Sequence, residues 1–189
     1  SKGCSNLDHE WLRRCLRHAR LPEPMIAVVN ALLESEPILC MTDETGRKEY
    51  ELEDRLLTGL TQGCPAACIL YLIGVDPLLA AFERMQCVGA VSGFVDDWSI
   101  EVKGAQQLHE AMRILDVFQK ASGQKVNVEK TAVVPARRLS KEEEQGVRAY
   151  WPQIRISHRE RLLGIYLGIE SNIDDQYHAP MEKLDAALF

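Results

Sequence analysis

Two adjacent carboxylates, Asp96 and Asp97, lie within an apolar stretch that runs from Val88 to Val102. This pattern predicts a β-hairpin whose tight turn falls at the two aspartates. Neighbouring strand residues point to opposite faces, but at a turn both carboxylates can approach one site. Like charges this close repel each other, and a divalent cation with oxygen ligands, usually magnesium, neutralises them. The alternative is an acidic turn without a ligand, because Asp is common in turns for its backbone hydrogen bonds alone.

Helical and strand patterns precede this hairpin. Asp8 is placed to cap a first helix. A second helix is predicted with an apolar inner face made of Met25, Ile26, Val28, Val29, Leu32 and Leu33. Segments 38–42 and 47–52 predict another hairpin. Pro65 is expected in the first turn of a long apolar helix, which Pro77 should kink or split.

Further elements are predicted after the aspartates. Residues 105–118 follow helical spacing, and Gly123 is a suitable residue to end that helix. Residues 126–134 predict a strand, 140–150 a short charged helix, and 161–169 a strand or hairpin. Strands and helices mix without a regular βαβ order. We therefore predict an α+β fold, with an antiparallel sheet and helices packed on one face.

Composition limits the classes of function. The 189 residues, 46% of them hydrophobic, are enough for one domain or slightly more. Lys and Arg total 22 against 28 Asp and Glu, a net charge of −6, whereas free-standing nucleic-acid-binding proteins usually carry a basic excess. A local basic run is the exception and is either a solvated face or a phosphate contact: Arg137, Arg138, Lys141, Arg148, Arg155, Arg159 and Arg161. The longest apolar run, 66–75, is too short to span a bilayer.

Six cysteines occur without a Cys-x-x-Cys pair. We interpret them as reduced, mostly buried thiols of an intracellular protein. Cys64 and Cys68 lie one helical turn apart, but no His or Cys nearby completes a zinc site, so packing is the favoured interpretation.

Four segments in order carry a resemblance to a known family. They are Thr61-Gln62-Gly63-Cys64-Pro65, Phe94-Val95-Asp96-Asp97, Ser122-Gly123-Gln124-Lys125-Val126-Asn127-Val128-Glu129-Lys130-Thr131 and Leu162-Leu163-Gly164-Ile165. In this order and spacing the chain resembles the palm of reverse transcriptases, in particular those of non-LTR retrotransposons and group II introns. The resemblance implies the palm of a right-hand polymerase over residues 1–170, with part of the fingers-proximal helices.

The opening segment, residues 1–12, is similar to the later part of the family's first motif, Asp-x-x-Lys-Ala-Phe-Asp-x-[Val/Ile]-x-His-x-x-Leu. In that alignment the family's first catalytic Asp falls two residues before Ser1, and Asp8 is a helix cap. We therefore expect a fragment of a longer polyprotein, with residues 171–189 beginning a connection or thumb helix. We expect no polymerase activity from this chain alone.

The resemblance implies a two-magnesium mechanism, in which a primer 3′-hydroxyl attacks the α-phosphate of a deoxynucleoside triphosphate. Asp96 would be the principal metal ligand present and Asp97 a supporting one. RNA template and DNA primer would be the macromolecular partners. Retroelement action suggests the nucleus or the cytoplasm.

Four residues would bind the nucleotide by the same resemblance: Gln62, Gly63, Cys4 and Lys130. Gly63 would let the backbone approach the substrate closely; alternatively its loop only starts a helix. Lys130 would offset charge near the triphosphate or primer end, or is a solvated strand lysine. Phe94 would pack under the primer terminus, or is core.

Several residues depart from the family pattern. Cys4 replaces the aromatic residue that usually blocks a ribose 2′-hydroxyl, and Ser5 replaces a frequent acid. Thr61 stands where Arg is common, and Leu162 where Tyr is common; Trp98 after the aspartates is bulky. Cys4, Ser5 and Thr61 favour the alternative function, a decayed or domesticated remnant that binds protein or RNA.

Overall fold

The protein, described here by a computed structural model, is a mixed α+β chain. The structure describes residues 6–35, 38–42, 46, 48–52, 57–61, 63–85, 88–95 and 97–188. Two compact units interleave along the sequence. The first comprises 1–86, 94–96 and 113–125, and the second comprises 87–93, 97–112 and 126–189.

The described helices and strands follow the predicted order. The helices are α1 (His9–His18), α2 (Glu23–Glu34), α3 (Ala67–Glu83), α4 (Ala105–Ser122), α5 (Lys141–Tyr150) and α6 (Ile173–Leu188). The strands are β1 (Ile38–Thr42), β2 (Lys48–Leu52), β3 (Val88–Phe94), β4 (Asp97–Val102), β5 (Ala132–Val133), β6 (Arg155–Ile156), β7 (Glu160–Leu162) and β8 (Ile165–Leu167).

The core of the first unit forms where α1 packs against α2 and α3. The cap at Asp8 is confirmed, because its Oδ1 accepts a hydrogen bond from Trp11 N at 2.7 Å. Trp11 Nε1 donates to the Gly74 carbonyl of α3 at 2.8 Å, and its ring meets Phe118 edge-on. The most deeply buried apolar side chains here are Leu7, Leu12, Leu16, Val75 and Phe82.

Two helices differ from their predictions. On α2 only Ile26, Val29 and Leu33 are buried, while the other half of the predicted inner face is exposed: Met25, Val28 and Leu32. Each set follows helical spacing, but the two stripes lie about 100° apart and α2 buries only one of them. Helix α3 begins at Ala67, two residues after Pro65, and continues through Pro77 without a split. Buried residues on both sides of Pro77 hold the helix together.

The prediction of one antiparallel sheet is wrong for the residues described. Strands pair as four separate two-stranded sheets, and the pair β5 with β6 is parallel. The predicted strand at 126–134 is reduced to β5, because the Asn127 carbonyl accepts from both Lys130 N and Thr131 N and closes a turn. The α+β class itself is consistent with these small sheets and mixed helices.

The second unit buries fewer apolar side chains, among them Ala111, Val147 and Ile154. Helix α5 starts with a capping box between Ser140 and Glu143. Helix α6 packs against β8. None of the helices that the structure describes is long and apolar enough to cross a membrane.

Candidate active site

The predicted hairpin at 88–102 is confirmed: β3 and β4 pair and are joined by only two residues, which requires an antiparallel turn. At its tip Val95 has a φ of +53°, a conformation that β-branched residues rarely adopt. Phe94 is 65% exposed, so the alternative that it belongs to the core is wrong. The turn was predicted at the two aspartates, but Asp97 begins β4 instead. Asp97 is exposed, and Asp96 lies outside the described residues.

The Asp97 carboxylate makes no hydrogen bond or ion pair within the described part of the chain. An exposed carboxylate is the kind of oxygen ligand that magnesium prefers. No group of three or more His, Cys, Asp or Glu side chains that could hold a metal occurs among the residues described, a set that omits Asp96.

The Gln62-Gly63 loop precedes α3. Gln62 lies outside the described residues, but Gly63 has a φ of +86° in a turn closed by a hydrogen bond from Cys64 N to Thr61 O. Gly is favoured at the third position of such turns. A Cβ on Gly63 would meet nothing within 4 Å, so open space surrounds this backbone. That space is what close approach of a substrate to the backbone requires.

The remaining predicted nucleotide contacts are Cys4 and Lys130. Cys4 lies outside the described residues. Lys130 is exposed, as the alternative of a solvated lysine predicts, but it lies in the Asn127 turn of the second unit rather than on a strand. Its backbone N also lies 3.3 Å from Asn127 Oδ1.

Within the first unit, the end of the first motif contacts the Ser-Gly element and the residues just before the Gln62 loop. Asp8 N donates to Ser122 O at 2.8 Å, and Gly59 N donates to Leu7 O at 2.7 Å. His9 Nε2 lies 2.7 Å from Gly59 O. We call this cluster the motif junction, and it consists of residues 7–9, 58–61 and 122–123. The end of the first motif thus lies between the loop that leads to Gly63 and the Ser-Gly element.

Gly123 shows how closely these segments approach. A Cβ there would lie 2.9 Å from the Asn6 carbonyl oxygen, and Ser122 is fully buried. The Ser-Gly pair therefore fits a site where α4 ends against the chain before α1.

The family described as reverse transcriptase (RNA-dependent DNA polymerase) matches residues 1–167. The chain belongs to the reverse transcriptase family. A search of curated proteins gives no match. Membership supports reverse transcriptase activity in general, and with it template, primer and nucleotide substrates as a class.

The last motif of the family also has a second match in this chain. The pattern Tyr-Leu-Gly-Ile occurs in full at residues 166–169, four residues after the segment first matched to it. At Gly168 a Cβ would lie 2.1 Å from the His158 carbonyl oxygen, so only Gly fits. Leu163 and Gly164, by contrast, form the open turn between β7 and β8. Leu162 is therefore no departure from the family pattern, because Tyr166 supplies the aromatic residue.

Sequence reasoning missed two residues of the domain. His9 matched the family's His, yet its contact with Gly59 could not be inferred from spacing. Gly93 is the second: the sequence shows that Trp98 is bulky, but not that Gly93 makes room for its ring. The thiols also differ from the prediction: Cys15 is buried, but Cys64 is half-buried and Cys68 is exposed.

The predicted basic run is partly neutralised. Arg137 pairs with Glu143 and lowers the pKa of that carboxyl to about 2, and Arg155 pairs with Glu160 and lowers its pKa as well. The guanidinium groups of Arg159 and Arg161 both lie over the Tyr166 ring, 4.6 and 5.7 Å from its centre.

Proposed function

We propose that this domain is the palm of an RNA-directed DNA polymerase of the non-LTR retrotransposon or group II intron type. The family match over residues 1–167 carries the proposal. The motif junction supports it, because motifs far apart in sequence meet at one place in the first unit. The substrates would be deoxynucleoside triphosphates, an RNA template and a DNA primer.

Asp96 and Asp97 would hold magnesium ions. The exposed Asp97 carboxylate has no partner among the described side chains, so it is available to a hard cation. When bound, the metal ions would lower the charge on the transferred phosphate and on the attacking and leaving oxygens. The chain itself places Asp97 at the start of β4, next to the hairpin turn.

Gly63 would lie against the incoming nucleotide, with Gln62 and Cys4 as neighbours by family resemblance. The positive φ and open space at Gly63 support this assignment. Lys130 would contribute a positive charge toward the triphosphate or the primer end, and the exposed Phe94 would contact the primer terminus.

Template and primer would be bound through phosphates, because the chain has a net charge of −6 and needs local basic groups. Arg159 and Arg161 of the β7–β8 hairpin are the best candidates, since both guanidinium groups lie beside one aromatic ring. Arg137 and Arg155 are paired with carboxylates and contribute less.

The decisive experiment is primer extension on an RNA template, with the protein as its gene encodes it. Asp96→Asn and Asp97→Asn should each reduce extension at least about 100-fold, because each removes a charged metal ligand. The matched control is Asp116→Asn, which removes an exposed carboxylate that is paired with Lys120 on α4. If both hairpin variants extend the primer as well as the wild type does, the proposed site is excluded.

The second candidate is a remnant that binds RNA without synthesis. Thr61, which is exposed where the family commonly has Arg, favours it. RNA binding by a protein that extends no primer under any magnesium concentration would support this candidate over the polymerase.

A further inference from the structure

We propose that His9 is a positioning residue: through the Gly59 carbonyl it fixes the loop that carries Gly63, and so determines how tightly the nucleotide binds. This inference rests on the proposed function and adds a residue to it. The contact that the structure gives His9 is with Gly59 rather than Gly63, so its effect on the nucleotide is indirect.

The contact itself is specific. His9 Nε2 lies 2.7 Å from Gly59 O, and the His9 side chain is only 7% exposed. A carbonyl oxygen only accepts, so Nε2 carries a hydrogen in both the neutral and the charged imidazole. The Gly59 backbone and the His9 side chain are both buried, so loss of the donor removes the hydrogen bond that the protein supplies to this carbonyl.

Short connections link this bond to Gly63. Gly59 is also held by its N–H, which donates to Leu7 O at 2.7 Å, and Leu60 is buried. Thr61 follows and accepts from Cys64 N in the turn that contains Gly63. A shift of the Gly59 carbonyl thus reaches the proposed nucleotide contact within four residues of chain.

Packing beneath this loop is incomplete. A cavity of about 20 Å³ lies between the loop and α2, lined by His9, Leu32, Leu33, Ser35, Gly59 and Thr61. Atoms that line a void lose contacts on that side. Packing therefore restrains the loop less at this point, and the hydrogen bond from His9 contributes more to holding the loop in place.

Two readouts test the proposal. Hydrogen exchange on the 189-residue chain reports the loop directly, and steady-state kinetics on the gene-encoded protein reports nucleotide binding. His9→Phe keeps the ring volume and removes the donor, whereas His9→Gln retains an N–H donor at similar reach. The matched control is His109→Phe, because His109 Nε2 contacts the Gly146 carbonyl at 2.8 Å in the second unit.

In His9→Phe, exchange at the amides of Gly59 and Cys64 should accelerate about tenfold, while amides in the middle of α3 change little. KM for the nucleotide should rise about tenfold with kcat nearly unchanged, the pattern of lost ground-state binding. His9→Gln should keep both the exchange rates and KM close to their wild-type values. His109→Phe should leave both the loop and KM as in the wild type.

The proposal is overturned if His9→Phe leaves loop exchange unchanged, accelerates α1, α2 and α3 equally, or raises KM no more than His109→Phe does. If His9→Phe does not fold, His9→Gln against the shorter His9→Asn decides by the same readouts. If the wild-type protein extends no primer, only the proposed function is overturned. The exchange result still decides whether His9 holds the loop.

Discussion

The indole ring of Trp98 occupies the space that a side chain at residue 93 would need: a Cβ on Gly93 would lie 2.0 Å from Trp98 Cε3. The two residues lie on paired strands, one on each side of the two-residue turn. A large aromatic ring next to the hairpin tip is therefore accommodated by the absence of a side chain on the opposite strand.

This relationship predicts a strong coupling between the two positions. Gly93→Ala should lower the free energy of unfolding by about 1–3 kcal/mol, because the rigid ring must move. In a Trp98→Ala background the same change should be neutral or slightly stabilising, since Ala loses less backbone entropy than Gly. Urea unfolding of the wild type, both single variants and the double variant measures the coupling. Additive effects would show that the ring does not fill this space.

A comparison of Gly63 with Gly46 separates an effect on nucleotide binding from the effect of backbone strain. Gly63→Ala and Gly46→Ala both place a side chain at a φ near +80°, at +86° and +80°, with nothing within 4 Å. Both should cost about 1–2 kcal/mol of stability. Only Gly63→Ala should raise KM for the nucleotide, because its methyl group enters the proposed substrate space. Equal KM values in the two variants would remove Gly63 from the nucleotide site.

The α5 cap makes stability depend on acid pH. The pKa of Glu143 falls from 4.5 to about 2, because its carboxylate accepts hydrogen bonds from Arg137 and from Ser140 N. A lowered folded-state pKa stabilises the protein above about pH 4.5, and this contribution is lost as the pH falls toward 2.

Glu143→Gln should therefore flatten the decline in unfolding free energy between these pH values. Urea titrations at a series of pH values measure it. Glu144→Gln, which removes a neighbouring carboxylate with no such partner among the described residues, should leave the slope close to that of the wild type. A slope unchanged in Glu143→Gln would show that the ion pair is absent in solution.

The thiols should react in an order that follows burial. Burial, with a further contribution from the Asp76 carboxylate, raises the pKa of the Cys15 thiol from 9.0 to about 11, so its thiolate fraction at neutral pH falls about 100-fold. Cys68 is exposed on α3. Brief iodoacetamide treatment followed by mass spectrometry should find Cys68 modified and Cys15 intact. In urea, Cys15 should react as well; labelling of native Cys15 first would contradict its burial.

Local signals explain which elements could be predicted. The Asp8 cap, the helix over 140–150 and the hairpin over 88–102 each depend on neighbouring residues, so their patterns were sufficient. The stripe that α2 buries was not predictable, because Met25 and Ile26 both belong to apolar stripes and only the position of α1 selects between them. The prediction of strand pairing failed for a similar reason, because pairing depends on segments that are far apart in the sequence.

The same division holds for the site. By itself, the sequence determined the motifs, their order and the reverse transcriptase family, because these are properties of residue types and spacing along the chain. Only the tertiary structure decided that His9 holds the Gly59 carbonyl, that Gly93 makes room for Trp98 and that Gly168 meets the His158 carbonyl. These contacts join residues from different segments or strands, and their distances depend on how the backbone folds rather than on how the residues follow one another.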